Sequence, residues 1–188
     1  MKHSTLTTKK IVFAALMAAL TVVGSGLRIK IPAGIAGTSA FHLGNIMCAL
    51  SGILLGPWLG GLAAGLGSAI YDMFDPVYIA ECWLTFLMKG TYGVVAGLVF
   101  HTGKKEWSYI KATLASVAGA ATYAVLYLAK SYFYGGIFKQ GLTHAAAWIV
   151  VIEKIPATVF NAAVALIFAP ILAVAINKAL KQNHLSIR

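Results

Sequence analysis

Residues 143–177 read THAAAWIVVIEKIPATVFNAAVALIFAPILAVAIN, and in that run only Glu153 and Lys154 carry a formal charge. A stretch so apolar belongs in a bilayer, because about 20 such residues already cross a hydrocarbon core of roughly 30 Å. At 1.5 Å per residue the run would reach about 50 Å as one straight helix, too long for a single perpendicular span. Pro156 lies within it and offers a break, since proline removes a backbone donor. The reading is an outer helical piece ending near Glu153, followed by a membrane span to about Asn177.

The rest of the chain has the same character. Of its 188 residues, 60% are hydrophobic and 11% charged, less than half the charge with which a soluble domain faces water. Further spans are expected over about Lys10–Gly26, Phe41–Leu55, Trp58–Phe74, Glu81–Phe100 and Ile110–Tyr134. Pro32, Gly34 and Gly37 mark a loop after the first span, Gly56-Pro57 a tight turn after the second, and Gly135-Gly136 the opening of the last outer loop. No linker, charge block or internal repeat divides the chain. The expectation is an all-α membrane protein, one domain over residues 1–188, folded as a compact bundle of six transmembrane helices.

A net charge of +10 would suit a nucleic-acid partner, but its placement excludes one. Lys2, Lys9 and Lys10 precede the first span, Lys104, Lys105 and Lys111 flank a middle loop, and Lys178, Lys181 and Arg188 end the chain. The alternate loops hold Arg28, Lys30, Lys130 and Lys139, offset by Asp72, Asp75 and Glu81. Basic residues collect on the cytoplasmic side of membrane proteins, so both termini are expected there.

Small residues four apart let membrane helices approach closely. Gly52 and Gly56, Gly61 and Gly65, and Gly93 and Gly97 show this spacing and read as internal packing. Ala14, Ala15, Ala18 and Ala19 make two overlapping Ala-x-x-x-Ala pairs on the first span. Such a face serves internal packing or docks a separate membrane partner, and spacing alone does not separate the two.

Ionisable groups inside spans are costly and mark functional sites by default. Lys89 lies eight residues into the fourth span, on one helical face with Glu81 and Thr85. It is either a ligand contact or a structural lysine paired to a carboxylate such as Asp72. Tyr123, Tyr127 and Lys130 form a stripe on the fifth span, suited to a polar aromatic ligand. Trp148, Glu153 and Asn161 surround the Pro156 break, with Glu153 and Lys154 alternatively an ion pair. Tyr71 and Asp72 end the third span, and His42 and Asn45 begin the second. These groups concentrate in the outer half above an apolar floor, which describes a pocket rather than a channel.

The sequence contains no G-x-x-x-x-G-K-[ST], no H-E-x-x-H and no G-x-S-x-G. No catalytic residue, metal or cofactor is therefore expected, and ATP-driven work would need a partner.

The chain resembles the substrate-binding S components of prokaryotic energy-coupling-factor (ECF) vitamin transporters. The likeness rests on Ala14-Ala15-Leu16-Met17-Ala18-Ala19, on Phe41-His42-Leu43-Gly44-Asn45 through Leu55-Gly56-Pro57-Trp58 to Gly67-Ser68-Ala69-Ile70-Tyr71-Asp72, and on Thr85-Phe86-Leu87-Met88-Lys89-Gly90. It implies a multi-pass protein of the prokaryotic cell membrane that binds a vitamin or precursor near the outer face. The loop from Ile31 to Ala40 would be a gate, with Gly34 and Gly37 supplying mobility. The alanine face would dock a membrane T component, and two cytoplasmic ATPase subunits would drive uptake. Pyridoxine or hydroxymethylpyrimidine suits Lys89 and the tyrosines best, with riboflavin or another vitamin as alternatives. A stand-alone secondary transporter is the competing reading.

Overall fold

In the computed structural model, which describes residues 8–103 and 107–185, the apolar runs form six α-helices. They are α1 (Thr8–Gly26), α2 (Gly44–Leu55), α3 (Pro57–Met73), α4 (Cys82–His101), α5 (Tyr109–Lys130) and α6 (His144–Gln182). Between α1 and α2 the chain makes an antiparallel hairpin, β1 (Arg28–Pro32) and β2 (Thr38–His42), with Arg28 opposite His42 and Pro32 opposite Thr38. Lys2, Lys104, Lys105 and Arg188, four of the basic residues that orient the sequence reading, lie outside the described residues.

The segments Thr8–Gly26, Ile79–His101, Tyr109–Lys139 and His144–Gln182 are long and apolar enough to cross a bilayer. At 12 residues α2 is shorter, about 18 Å by helical rise. It is nevertheless buried along almost its whole length, packed by α1, α3, α4 and α6. A helix enclosed by protein need not match the bilayer, because its neighbours rather than lipid meet its ends.

The glycine pairs let the inner helices touch backbone to backbone. A β-carbon on Gly52 would lie 2.2 Å from the Gly93 carbonyl oxygen, and one on Gly93 would lie 2.9 Å from the Gly61 Cα. No rotamer relieves a clash with backbone. Gly52→Val is therefore expected to cost about 3 kcal/mol or more, read as a lowered thermal midpoint in detergent; an unchanged midpoint would contradict this packing.

Four expectations are corrected. Helix α6 runs unbroken through Pro156 and Pro170, because the hairpin bonds to it on both sides of Pro156 and holds the two halves in line. Helix α5 does not stop at Gly135-Gly136 but continues as a π-helical segment over Ser131–Lys139. Phe41 and His42 lie in β2 rather than in the second span, and Glu81 closes a 3-10 turn, Ile79–Glu81, just before α4.

Candidate functional site

The hairpin is the roof of the site, and its strand period decides what it holds. Alternation puts Arg28 and Lys30 on one face of β1, against the carboxylates at the end of α3. Arg28 Nη2 is 3.5 Å from Asp72 Oδ1 and its Nη1 is 3.6 Å from Asp75 Oδ2, while Lys30 Nζ lies 2.8 Å from Asp75 Oδ2. Burial acts to raise the Asp75 carboxyl, but bonds from Lys30 and the Val77 N–H outweigh it and hold the group below its ordinary value. The Arg28 guanidinium also covers the Tyr71 ring at 4.1 Å.

The other strand is fastened to α6. Asn161 Oδ1 accepts the His42 N–H at 2.9 Å, and its Nδ2 donates to the Ala40 carbonyl at 2.9 Å. Lys154 donates to the Thr38 carbonyl, and Glu153 Oε2 accepts the Ala36 N–H at 2.7 Å. Glu153 and Lys154 therefore each serve the hairpin rather than one another. Gly34 adopts φ +39°, where a side chain is strained, and a β-carbon there would displace the Glu153 carboxylate, its Oε1 being 2.1 Å away. Gly34 and Gly37 shape an ordered turn, closed by the Ala33 N–H donating to the Gly37 carbonyl at 2.9 Å. Glu153→Ala removes a charge-assisted bond, generally about 1.5–3 kcal/mol. Hydrogen exchange at residues 34–38 is expected to rise by about tenfold or more; unaltered exchange would show that the carboxylate does not fasten the turn.

Beneath the hairpin lies a cavity of about 60 Å³ that opens at its mouth. Of the residues anticipated from sequence, His42, Asp72, Glu81, Thr85, Lys89, Tyr123, Tyr127, Lys130 and Asn161 line it. Lys89 is 3% exposed. Its ammonium donates to Asn45 Oδ1 and stands 4.1 Å from the centroid of the Tyr123 ring. Asp72 is taken up by Arg28 instead, so the lysine–carboxylate alternative does not hold. Tyr123 stacks on Tyr127 at 5.7 Å and on Tyr92 at 6.0 Å, giving the cavity a wall of aromatic faces.

The remaining four do not line this cavity. Asn45 sits behind Lys89 and orients it, Tyr71 lies under Arg28, and Glu153 holds the hairpin turn. Trp148 is 57% exposed and packs on Tyr132 with ring centroids 5.1 Å apart. Conversely, Arg28, Ser25, Tyr78, Met88 and Thr158 line the cavity without having been singled out as site residues. Arg28 carried a signal, being a lone arginine directly after a span. The others sit where only the tertiary fold could bring them.

A second cavity adjoins the first, sharing Tyr78, Glu81, Tyr127 and Lys130, and is bounded by the hairpin turn, the π-helical segment and α6. Glu81 is held there by two lysines: Lys130 donates to Oε2, and Lys139 Nζ lies 2.7 Å from Oε1. In an α-helix, positions 130 and 139 stand about two and a half turns apart, on opposite faces. The wider π winding, whose bonds reach five residues back, brings both ammonium groups to one carboxylate.

The alanine pairs divide. Ala14 and Ala18 pack against the core, and α3 approaches so closely that a β-carbon on Gly67 would lie 2.3 Å from the Ala18 carbonyl oxygen. Ala15 and Ala19 are exposed on the outer face of α1.

Residues 25–161 thus supply, from α1, α3, α4, α5, α6 and the hairpin, a polar site in an apolar bundle. The sequence is 33% identical over 114 residues to a Pyrococcus woesei protein described as an uncharacterized protein in gap 3'region, a match covering 61% of this chain and 72% of that relative. The model of the family described as "ECF-type riboflavin transporter, S component" matches residues 5–178. A match over nearly the whole bundle, cavity and hairpin included, places this multi-pass membrane chain in the family of ECF-type riboflavin transporter S components.

Proposed function

We propose that this chain captures a small, planar, polar heteroaromatic vitamin or precursor in the cavity beneath the hairpin, for ATP-driven uptake by a larger complex. The observation that carries this reading is Lys89: a buried ammonium held by Asn45 on the face of Tyr123, bordering a cavity walled by stacked tyrosines. A buried charge is retained at a cost, which a ligand's acceptor atom at the cavity floor offsets. Thr85, Asp72, His42 and Asn161 supply further polar contacts, while Tyr123 and Tyr127 supply stacking.

The family description names riboflavin, which makes a flavin ring the first candidate. Pyridoxine and hydroxymethylpyrimidine form the second reading. It is favoured by the room in the inner cavity, about 60 Å³, which is nearer to one ring than to the three of a flavin. The hairpin faces the outside and both termini the cytoplasm of a prokaryotic cell, residues 1–188 acting as one domain. A membrane T component docks on the small-residue face of α1, chiefly at Ala15 and Ala19, and two cytoplasmic ATPases supply the energy. The family is one of transport subunits, and the chain itself performs no chemistry.

Reconstitution in liposomes tests the division of labour. Labelled riboflavin or pyridoxine should be bound by the chain alone but accumulated only when the T component, both ATPases and ATP are present. Accumulation by the chain alone, driven by an ion gradient, would instead establish a secondary transporter.

A further inference from the structure

The second cavity is richer in positive charge than capture of a neutral vitamin requires. Lys130, Lys139 and Lys154 line it against one carboxylate, Glu81. Lys154 is 8% exposed, and its ammonium is satisfied by a backbone carbonyl, that of Thr38. No carboxylate lies within 4.0 Å of its Nζ among the described residues. Buried ammonium groups are ordinarily paired with an anion. Glu81 accounts for one of the three positive charges and Glu153, bonded to the hairpin turn beside Lys154, offsets part of another, so the cavity keeps an excess of positive charge.

We infer that this outer cavity is an anion subsite, and that the preferred ligand is the phosphate monoester of the ring bound below. The inference rests on the proposed binding of a heteroaromatic ring in the inner cavity. A phosphate monoester carries about −1.5 to −2 charges near neutral pH and three acceptor oxygens, opposite in sign to the excess lysine charge of this cavity. The shared wall of Tyr127 and Lys130 lets one molecule occupy both chambers, its ring against the tyrosines and its ester among the lysines. Docking of the ester would draw Lys139 from Glu81 toward phosphate, and the π-helical segment that carries Lys139 would tighten with it. The hairpin turn, bonded to Lys154 and Glu153, would close over the same group.

The test titrates the purified full-length protein with two matched pairs at constant ionic strength: riboflavin against flavin mononucleotide, and pyridoxal against pyridoxal 5′-phosphate. In whichever pair binds, the ester is expected to bind about tenfold tighter or more, the usual effect of one additional charge-assisted bond. Lys154→Met and Lys139→Met should each reduce that ratio to about threefold or less. Lys139 is the control for folding, since its side chain is half exposed and makes no bond to the hairpin. A second measurement needs no ring: inorganic phosphate should raise the thermal midpoint more than chloride of equal ionic strength, and Lys139→Met should abolish the difference. An ester-to-neutral ratio of one or below, with no stabilisation by phosphate, overturns the anion subsite while leaving ring binding intact. Stabilisation by phosphate with no binding of either pair supports the subsite and removes the ring assignment. Failure of both measurements overturns the two together.

Discussion

Lys89→Met should lower the affinity of the isolated protein for its ligand by at least about a hundredfold, the equivalent of roughly 3 kcal/mol. The size follows from what is lost. The ammonium is a charged donor at the floor of a cavity, and charge-assisted hydrogen bonds in such surroundings contribute about 1.5–3 kcal/mol each. Methionine keeps the volume and the contact with the Tyr123 ring but cannot donate. Asn45 then faces the cavity without its partner and competes with the ligand for orientation. The fold should survive, because replacing a buried ammonium by an apolar side chain removes a desolvation cost rather than adding one. Calorimetric titration together with a thermal midpoint checks both halves. An affinity within about threefold of the original protein, at unchanged stability, would remove Lys89 from the binding site. Asn45→Leu should give a smaller loss, since its role is to aim the ammonium.

The second large effect concerns α1. Replacing Ala15 and Ala19 with tryptophan should abolish uptake in the reconstituted complex while leaving ligand affinity within about twofold. Both positions are exposed and lie on the side of α1 away from the core, so bulk there meets lipid in the isolated chain and a helix in the complex. Close helix approach in membranes depends on van der Waals contact between small side chains, and an indole forces the axes apart. The same change at Ala18 should behave differently. Its backbone abuts α3 at Gly67, so bulk there disturbs the bundle and lowers stability and binding as well. Loss of binding in the Ala15 and Ala19 double variant, or full uptake by it, would show that this face does not dock a partner.

The sequence made the helices legible because apolar length alone identifies a span. Its account of the helix ends was weaker, for reasons visible in particular residues. Pro156 suggested a break, yet the bonds that keep α6 straight come from Ala36, Thr38, Ala40 and His42, more than a hundred positions earlier. Gly135-Gly136 suggested a loop, yet the chain there winds as a π-helix that delivers Lys139 to Glu81. The hairpin was hidden because Arg28–Pro32 and Thr38–His42 are short and their alternation is imperfect. The candidate site was legible wherever a charged or phenolic residue stood in an apolar run, as with Lys89 and Tyr123. It was not legible where the function of a residue lay in its partner. Asn45 and Glu153 gave the same signal as Lys89, but one orients the lysine and the other fastens the roof. Trp148 stood near polar residues in sequence and faces away from them in space.

The same geometry separates two roles that a list of polar residues merges. Arg28 and Lys30 of β1 with Asp75 beyond α3, and Glu153, Lys154 and Asn161 against the turn and β2, hold the hairpin over the cavity. Lys89, Thr85, Tyr123 and Tyr127 make up the chamber under it. Changes in the first group should alter chiefly the rate of ligand release, which governs most affinity differences between related complexes.

The most direct measurement is the identity of what the purified protein carries. Denaturing the protein after purification from cells and analysing the released small molecules by mass spectrometry should yield a planar heteroaromatic compound in near-stoichiometric amount. The same compound should be absent from the Lys89→Met protein. Release of no small molecule from the folded protein, together with no detectable binding of riboflavin, pyridoxine or their phosphate esters, would contradict a ligand-capturing role for the cavity beneath the hairpin.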